Sequence, residues 1–148
     1  MKHKTLEHLF VKHFPEKLVE DVLYVSVEYG SVAHLCCCGC KEEVVTPLTP
    51  TDWRMIFDGK TVSLRPSVGS WTLACRSHYI IERNNVLVAQ PWSESQVQAE
   101  RQRDRTAKSK HYSQSLAVDP VEKPSQESAE PRVGFVNRLL NILFRRTL

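Results

Sequence analysis

Five cysteines and one histidine are the residues of this chain best suited to chemistry. Four of the cysteines lie in the string Cys36-Cys37-Cys38-Gly39-Cys40, and the fifth begins the string Cys75-Arg76-Ser77-His78. Zinc prefers thiolate and imidazole ligands, and a structural zinc site needs four of them in a tetrahedron. The spacing of Cys75 and His78 is typical of a turn that directs two side chains at one ion. The two strings together therefore predict a zinc site.

Two geometries remain open for the first string. Cys37 and Cys40 have the CxxC spacing of a zinc knuckle, whereas Cys36, Cys38 and Cys40 would share one face of an extended segment. Gly39 permits the close backbone approach that either geometry requires. The alternative interpretations are less favoured. Buried structural thiols would not occur as four cysteines in five residues, and the Cys-x-x-His partner suits zinc better than an iron–sulfur cluster.

Catalytic motifs are not evident in the sequence. It has no Ser-His-Asp order, no phosphate-binding loop and no paired carboxylates. More than four potential metal ligands favour a closed, structural site over a catalytic one. We therefore predict no catalytic residue, although one cysteine left over from the metal site would permit thiol-carrying chemistry.

Composition divides the chain of 148 residues into three regions. Residues 1–92 contain all the cysteines and tryptophans and carry no net charge. Residues 93–131 have few large apolar side chains, which predicts a disordered polar linker with at most a transient helix near 95–108. Residues 132–148 carry four arginines and no acid, and their charge of +4, with −1 from residues 93–131, gives the net charge of +3. A neutral first region argues against nucleic-acid binding as the function.

The first region has mostly β signals. Residues 22–27 are rich in β-branched and aromatic side chains, and two hairpins are indicated by Asp58-Gly59 and Asn84-Asn85 between apolar runs. An exception is the stretch 6–22, whose start suits a short helix before Pro15 ends the pattern. We expect a mainly β fold, a small antiparallel meander that binds zinc.

The C-terminal residues 132–148 have helical periodicity with a wide apolar arc and a polar face. Such an amphipathic helix could pack on its own domain, bind a partner or a second copy, or lie on a membrane surface. The chain has no apolar run long enough to span a bilayer and no apolar stretch near its start typical of a secretory signal. We expect a cytoplasmic protein.

The cysteine strings belong to a longer pattern. It includes His34-Leu35 before the first string, Pro50-Thr51-Asp52-Trp53-Arg54, Thr61 through Ser67, and Trp71 through Ile80. Over about 22–88 the chain resembles a bacterial family known as domain of unknown function 6527. The resemblance implies zinc binding through Cys36, Cys38, Cys40, Cys75 and His78. It also implies an association with bacterial ubiquitin-like conjugation systems, some of which resemble anti-phage defence.

These observations favour a zinc-binding adaptor that recognises a protein partner, with the ubiquitin-like setting implied by the resemblance alone. The first alternative is an enzyme component of the same system that is ligase-like or carries a substrate on a thiol. The second is a nucleic-acid-binding protein that uses the basic side chains of the linker, although a charged run in a linker is usually solvated.

Overall fold

A computed structural model describes residues 1–116, which form eight β-strands followed by one α-helix. The predicted mainly β fold is confirmed. The elements are β1 Glu7–Phe10, β2 Val22–Ser26, β3 Ser31–Leu35, β4 Glu43–Pro47, β5 Arg54–Phe57, β6 Val62–Gly69, β7 His78–Glu82, β8 Asn85–Val88 and α1 Glu94–Leu116.

The strands make two four-stranded sheets in which neighbours follow chain order, β1-β2-β3-β4 and β5-β6-β7-β8. Every pairing is antiparallel except that of β1 with β2, which is parallel. Apolar side chains from both sheets form one shared core, because β-branched and aliphatic residues point inward from each. Its fully buried members include Leu23, Val25, Val32, Val62, Leu64, Tyr79 and Ile81.

The short helix expected within 6–22 is wrong, because β1 occupies its start. Leu6 is buried, but Leu9 and Phe10 are 49% and 43% exposed, so no continuous helical apolar face is covered. The backbone N–H of Leu6 donates to Asn84 and that of Glu7 to Asp21. These long-range hydrogen bonds outweigh the local helical preference of the segment.

Both predicted hairpins of the second sheet are present. Strands β5 and β6 flank Asp58 and Gly59, whose φ of +92° suits the turn, and the Asp58 carboxylate accepts the backbone N–H groups of Lys60 and Thr61. Strands β7 and β8 are joined by Arg83 and Asn84, both in the left-handed region. The turn therefore lies one residue earlier than the sequence indicated.

Strand β6 is irregular beyond Leu64. Leu64 lies opposite Ile81 and Val68 lies opposite Tyr79, so four residues along β6 match two along β7. The extra residues form a bulge that contains Ser67. Bulges of this kind redirect side chains within a sheet.

Helix α1 differs from the disordered linker expected over 93–131, since it spans Glu94–Leu116. Its start is a capping box: the Ser93 hydroxyl accepts the backbone N–H of Gln96, and the Gln96 side chain accepts that of Ser93. Val97 is buried, and Lys108 pairs with Asp104 one turn earlier and with Asp52. Local capping and these anchors stabilise a helix that the polar composition did not predict.

No helix within residues 1–116 is long and apolar enough to cross a membrane. The remaining part of the predicted linker and the predicted amphipathic helix at 132–148 lie outside the described residues. The domain boundaries at 92 and 131 stay predictions.

We expect Tyr79→Phe to lower the free energy of unfolding by about 1–3 kcal/mol, because it leaves a buried ring nitrogen of His34 without its hydrogen-bond partner. The Tyr79 hydroxyl and His34 Nε2 lie 2.8 Å apart, and both residues are fully buried. They belong to different sheets, so the hydrogen bond joins the two halves of the core. Urea denaturation measures the change. Tyr29→Phe is the control, since Tyr29 is 57% exposed; equal midpoints for both variants would contradict the prediction.

Candidate functional site

Four cysteine thiols meet at one end of the two sheets. Cys36, Cys38 and Cys40 lie in the turn between β3 and β4, and Cys75 lies in the loop that leads into β7. All four sulfurs lie within 4.8 Å of one another. The closest separations are 3.5 Å between Cys36 and Cys38, 3.7 Å between Cys40 and Cys75, and 3.8 Å between Cys36 and Cys75.

The turn between β3 and β4 is folded so that alternate cysteines point the same way. The Gly39 N–H donates to the Cys36 carbonyl, and the Cys36 N–H donates to the Glu42 carbonyl. Gly39 has a φ of +93°, and Lys41 is also in the left-handed region. A side chain other than hydrogen at position 39 would collide with Lys2, which explains glycine there.

The spacing of the four sulfurs fits a tetrahedral metal ion. A metal–sulfur distance of about 2.3 Å puts neighbouring sulfurs of a tetrahedron about 3.8 Å apart. The three shortest separations are close to this value, and all the separations are within 4.8 Å. The cluster is thus compatible with a bound metal ion, and thiolates are ligands for soft or borderline cations.

Burial and the close contacts between the thiols shift their pKa values in opposite directions. Burial raises the pKa of the Cys38 thiol to about 12. Burial would also raise the pKa of Cys75, but hydrogen bonds from Ser77 and the neighbouring thiols outweigh it and lower that pKa to about 7. Four thiolates so close together repel, and a divalent cation would offset that repulsion and favour their ionisation.

Cys37 is not in this cluster. Its side chain is fully buried in the core, and burial raises the pKa of its thiol to about 12. Of the two geometries open from the sequence, the structure has the alternating one, with Cys36, Cys38 and Cys40 on one side. The CxxC pair of Cys37 and Cys40 is not brought together.

His78 also lies apart from the thiol cluster, although the sequence assigned it to the metal site. Its Nε2 is 2.8 Å from the Ser67 hydroxyl oxygen, and its Nδ1 is 2.6 Å from the Gln90 carbonyl oxygen. The side chain of Ser77, by contrast, is directed to the cluster, 3.0 Å from the Cys36 sulfur. Both ring nitrogens of His78 are thus occupied by oxygen partners rather than by a metal shared with the thiols.

The two hydrogen bonds of His78 fix which nitrogen carries the proton. The Gln90 carbonyl can only accept, so Nδ1 bears the hydrogen and donates it. Nε2 is then free to accept the hydroxyl proton of Ser67. A serine hydroxyl that donates to an oriented neutral imidazole is the arrangement of a nucleophile beside its general base. Within residues 1–114 no carboxylate has a hydrogen bond with His78.

Two tryptophans flank the imidazole of His78. The ring centroids of Trp71 and Trp92 each lie 5.0 Å from that of His78, and the two indoles stack on each other at 5.4 Å. The Trp71 indole packs against Gly69, where a Cβ would approach to 2.4 Å. His78 is only 7% exposed as a result, and Ser67 is half-buried.

Ser67 and His78 face a cleft of about 510 Å³. Helix α1 forms one of its walls, with Val97, Arg101 and Lys108 among the lining residues. Lys108 joins this helix to the loop before β5, because its ammonium lies 2.7 Å from the nearly buried Asp52 carboxylate. Burial acts to raise the pKa of Asp52, but the hydrogen bonds of Lys108 and Thr49 outweigh it and lower the pKa. The cleft is large enough to admit part of a peptide.

Ser67 is the functional residue that sequence reasoning missed. Gly69 lies opposite His78, and Ser67 is two residues earlier on the same face of β6, so the two side chains are diagonal neighbours. This register could have suggested the pair. The bulge between Leu64 and Val68 hid it, because a sequence does not reveal where a strand gains residues.

Comparison with known families gives one match. The family model described as "bacterial ubiquitination-like system serine protease (BubE)" matches residues 10–89, more than half of the chain. No curated protein and no solved structure matches the chain. The predicted association with a bacterial ubiquitination-like system is confirmed. Membership of family 6527 stays a prediction.

We expect Cys36→Ser, Cys38→Ser, Cys40→Ser and Cys75→Ser each to reduce the metal content of protein purified without chelator, because each removes one of four clustered ligands. Cys37→Ser and His78→Ala should keep the metal, since neither side chain reaches the cluster. Elemental analysis by mass spectrometry measures metal per chain. Loss of metal from His78→Ala, with the fold intact by circular dichroism, would instead support the ligand set that the sequence suggested.

Proposed function

The chain belongs to the family described as bacterial ubiquitination-like system serine protease (BubE), and from this premise we propose that it hydrolyses peptide bonds with Ser67 and His78. The observation that carries the proposal is the pair of hydrogen bonds that joins Ser67 to His78 and His78 to the Gln90 carbonyl. Ser67 is the nucleophile, His78 is the general base, and the Gln90 carbonyl orients the imidazole.

The reaction follows from the proton positions. As Ser67 Oγ forms a bond to the substrate carbonyl carbon, its proton passes to His78 Nε2. The imidazolium remains hydrogen-bonded through Nδ1–H to Gln90. Nε2 then returns the proton to the leaving nitrogen as the carbon–nitrogen bond breaks, which leaves an ester on Ser67. Water attacks this ester with His78 again as base, the acid product leaves, and the serine is regenerated.

The surroundings of His78 support this role. The two indoles stack on each other and contact the imidazole in tilted and edge-on geometry, which restricts its rotation, so little reorientation is needed before proton transfer. The cleft beside it is open to an extended chain rather than closed around a small molecule.

We propose that the substrate is a protein of the same ubiquitination-like system. The sequence predicted an adaptor that recognises a protein partner. In this proposal, the partner is the substrate that binds before hydrolysis.

The thiol alternative is not supported by the remaining cysteine. Cys37 is fully buried, and burial raises the pKa of its thiol, so it offers no thiolate to a substrate. The nucleic-acid alternative has no support from the cleft either, where acidic and basic side chains are mixed. A role in anti-phage defence and a cytoplasmic location stay predictions.

We also propose that the ion held by the four cysteines is zinc and that its role is structural. Four thiolates form a closed tetrahedral set with no open position for water, which is typical of structural zinc. Ser67 is not among these ligands, and no step of the hydrolysis uses the metal. The site instead holds the segment that begins with Cys75 and leads directly to His78.

A fluorophosphonate probe tests the nucleophile without knowledge of the substrate. The probe should attach to Ser67, as identified by mass spectrometry of the labelled peptide. Ser67→Ala should abolish labelling, and His78→Ala should slow it about 10²-fold or more, because the hydroxyl loses its base. Ser70→Ala is the control, since Ser70 is a buried serine close by whose hydroxyl has no partner. Labelling that survives Ser67→Ala, or falls equally in Ser70→Ala, would contradict the assignment.

Metal removal tests the structural role. We expect a strong chelator to lower the melting temperature, because a structural ion contributes folding free energy directly. Zinc should restore it and magnesium should not, since magnesium prefers oxygen ligands. Calorimetry with and without chelator measures the effect, and elemental analysis identifies the ion. An unchanged melting temperature after verified metal loss would rule out the structural role.

A further inference from the structure

A second cavity adjoins the cleft of Ser67. It has a volume of about 900 Å³ and is lined by the start of β5, the end of the regular part of β6 and the loop before β5. Asp52, Trp53 and Pro66 line both cavities. Because Pro66 directly precedes Ser67, the nucleophile lies next to the junction. The two cavities therefore adjoin along these three residues, and together they are called the groove.

An open strand edge runs along this groove. Strand β5 pairs with β6 only from Val62 to Arg65. Beyond Arg65, the β6 segment that carries Ser67 pairs with β7 on one side, and no described strand pairs with it on the other. Exposed strand edges accept extended peptides as an additional strand. A substrate segment in line with β5 would therefore cross Ser67 in extended form.

Two arginines stand at the end of the groove lined by β5. Arg54 and Arg65 lie directly opposite each other on β5 and β6. Arg65 is neutralised, since its guanidinium lies 3.1 Å from the Glu82 carboxylate and also donates to the Leu64 carbonyl. Arg54 is exposed in the same cavity, and no carboxylate within residues 1–114 forms an ion pair with it.

Because Glu82 already neutralises Arg65, Arg54 is the member of this pair whose positive charge is available to a substrate. Arginine also binds carboxylates in a two-pronged geometry that other cations do not offer. We propose that the substrate is an extended peptide segment with an acidic side chain, and that Arg54 selects it by binding that carboxylate. The inference rests on the proposed function, because it takes Ser67 as the reacting atom that the segment must cross.

Selection from a random dodecapeptide display library on full-length Ser67→Ala protein tests the proposal. This variant binds without cleaving, so the result does not depend on hydrolysis. We expect Asp or Glu to be enriched at one position of the selected peptides. Replacement of that residue by its amide in a labelled peptide should weaken binding about tenfold by fluorescence anisotropy. Adding Arg54→Glu should remove the acidic preference and favour Lys or Arg.

Lys60→Glu is the matched control, because it makes the same charge change on the exposed turn between β5 and β6, away from the residues that line the cavity. It should leave the acidic preference intact. Acidic peptides that bind Arg54→Glu as well as the parent, equal loss in Lys60→Glu, or no enriched sequence at all would each overturn the proposal. Failure of the probe to label Ser67 in the wild-type chain is a separate result, which would count against the proposed hydrolysis alone.

Discussion

The meeting of four thiols at one point is the constraint on which the rest of the structure depends. Three of them come from the turn after β3 in the first sheet, and the fourth comes from the loop before β7 in the second. Among residues 1–116, no named strand of one sheet pairs with a named strand of the other. The cluster therefore joins them together with the shared apolar core, the His34–Tyr79 hydrogen bond and the backbone hydrogen bonds between the segment before β1 and the start of β8. Four close sulfurs repel once ionised, which makes a cation the natural partner of this contact. A cation bound by all four thiolates would link the turn after β3 to the loop before β7.

The cluster also controls the cleft, because a short segment connects them. Cys75 belongs to the cluster, and Ser77 contacts the Cys36 sulfur at 3.0 Å. The next residue, His78, begins β7 opposite Gly69 and points to Ser67. The string that resembles a single metal-binding motif therefore serves two sites. Cys75 and Ser77 contact the thiol cluster, and the last residue, His78, forms the hydrogen bond to Ser67.

Local signals in the sequence predicted local structure well. Asp58-Gly59 and Asn84 have few conformations open to them other than tight turns, so both hairpins followed from residue type. Long-range hydrogen bonds made the segment after Leu6 a strand, which no local pattern indicates. For α1 the signal was present in Ser93 and Gln96, but polar composition outweighed it.

The two sites differ in how far the sequence reveals them. Four cysteines have one common chemistry, so their convergence could be expected. Residue spacing alone left the role of Cys37 open, and only the family resemblance implied a ligand set without it. Serines are too common to single out one, and Ser67 gains meaning only from the register of β6 with β7, which the bulge between Leu64 and Val68 shifts. The position of His78 relative to Cys75 fitted a ligand pair equally well, and only the register of β6 with β7 distinguishes the two roles.

The partner of His78 Nδ1 explains why no Ser-His-Asp order is visible in the sequence. A carboxylate usually holds the imidazole proton on Nδ1, and its essential contribution is the correct tautomer and orientation. Here the Gln90 carbonyl does so, and the Ala89 N–H donates to the His78 carbonyl at 3.0 Å, so the same chain segment holds both the ring and the backbone of His78. A carbonyl belongs to every residue type. The orienting group is consequently specified by the path of the chain after β8, and no acidic residue was needed in the sequence to supply it.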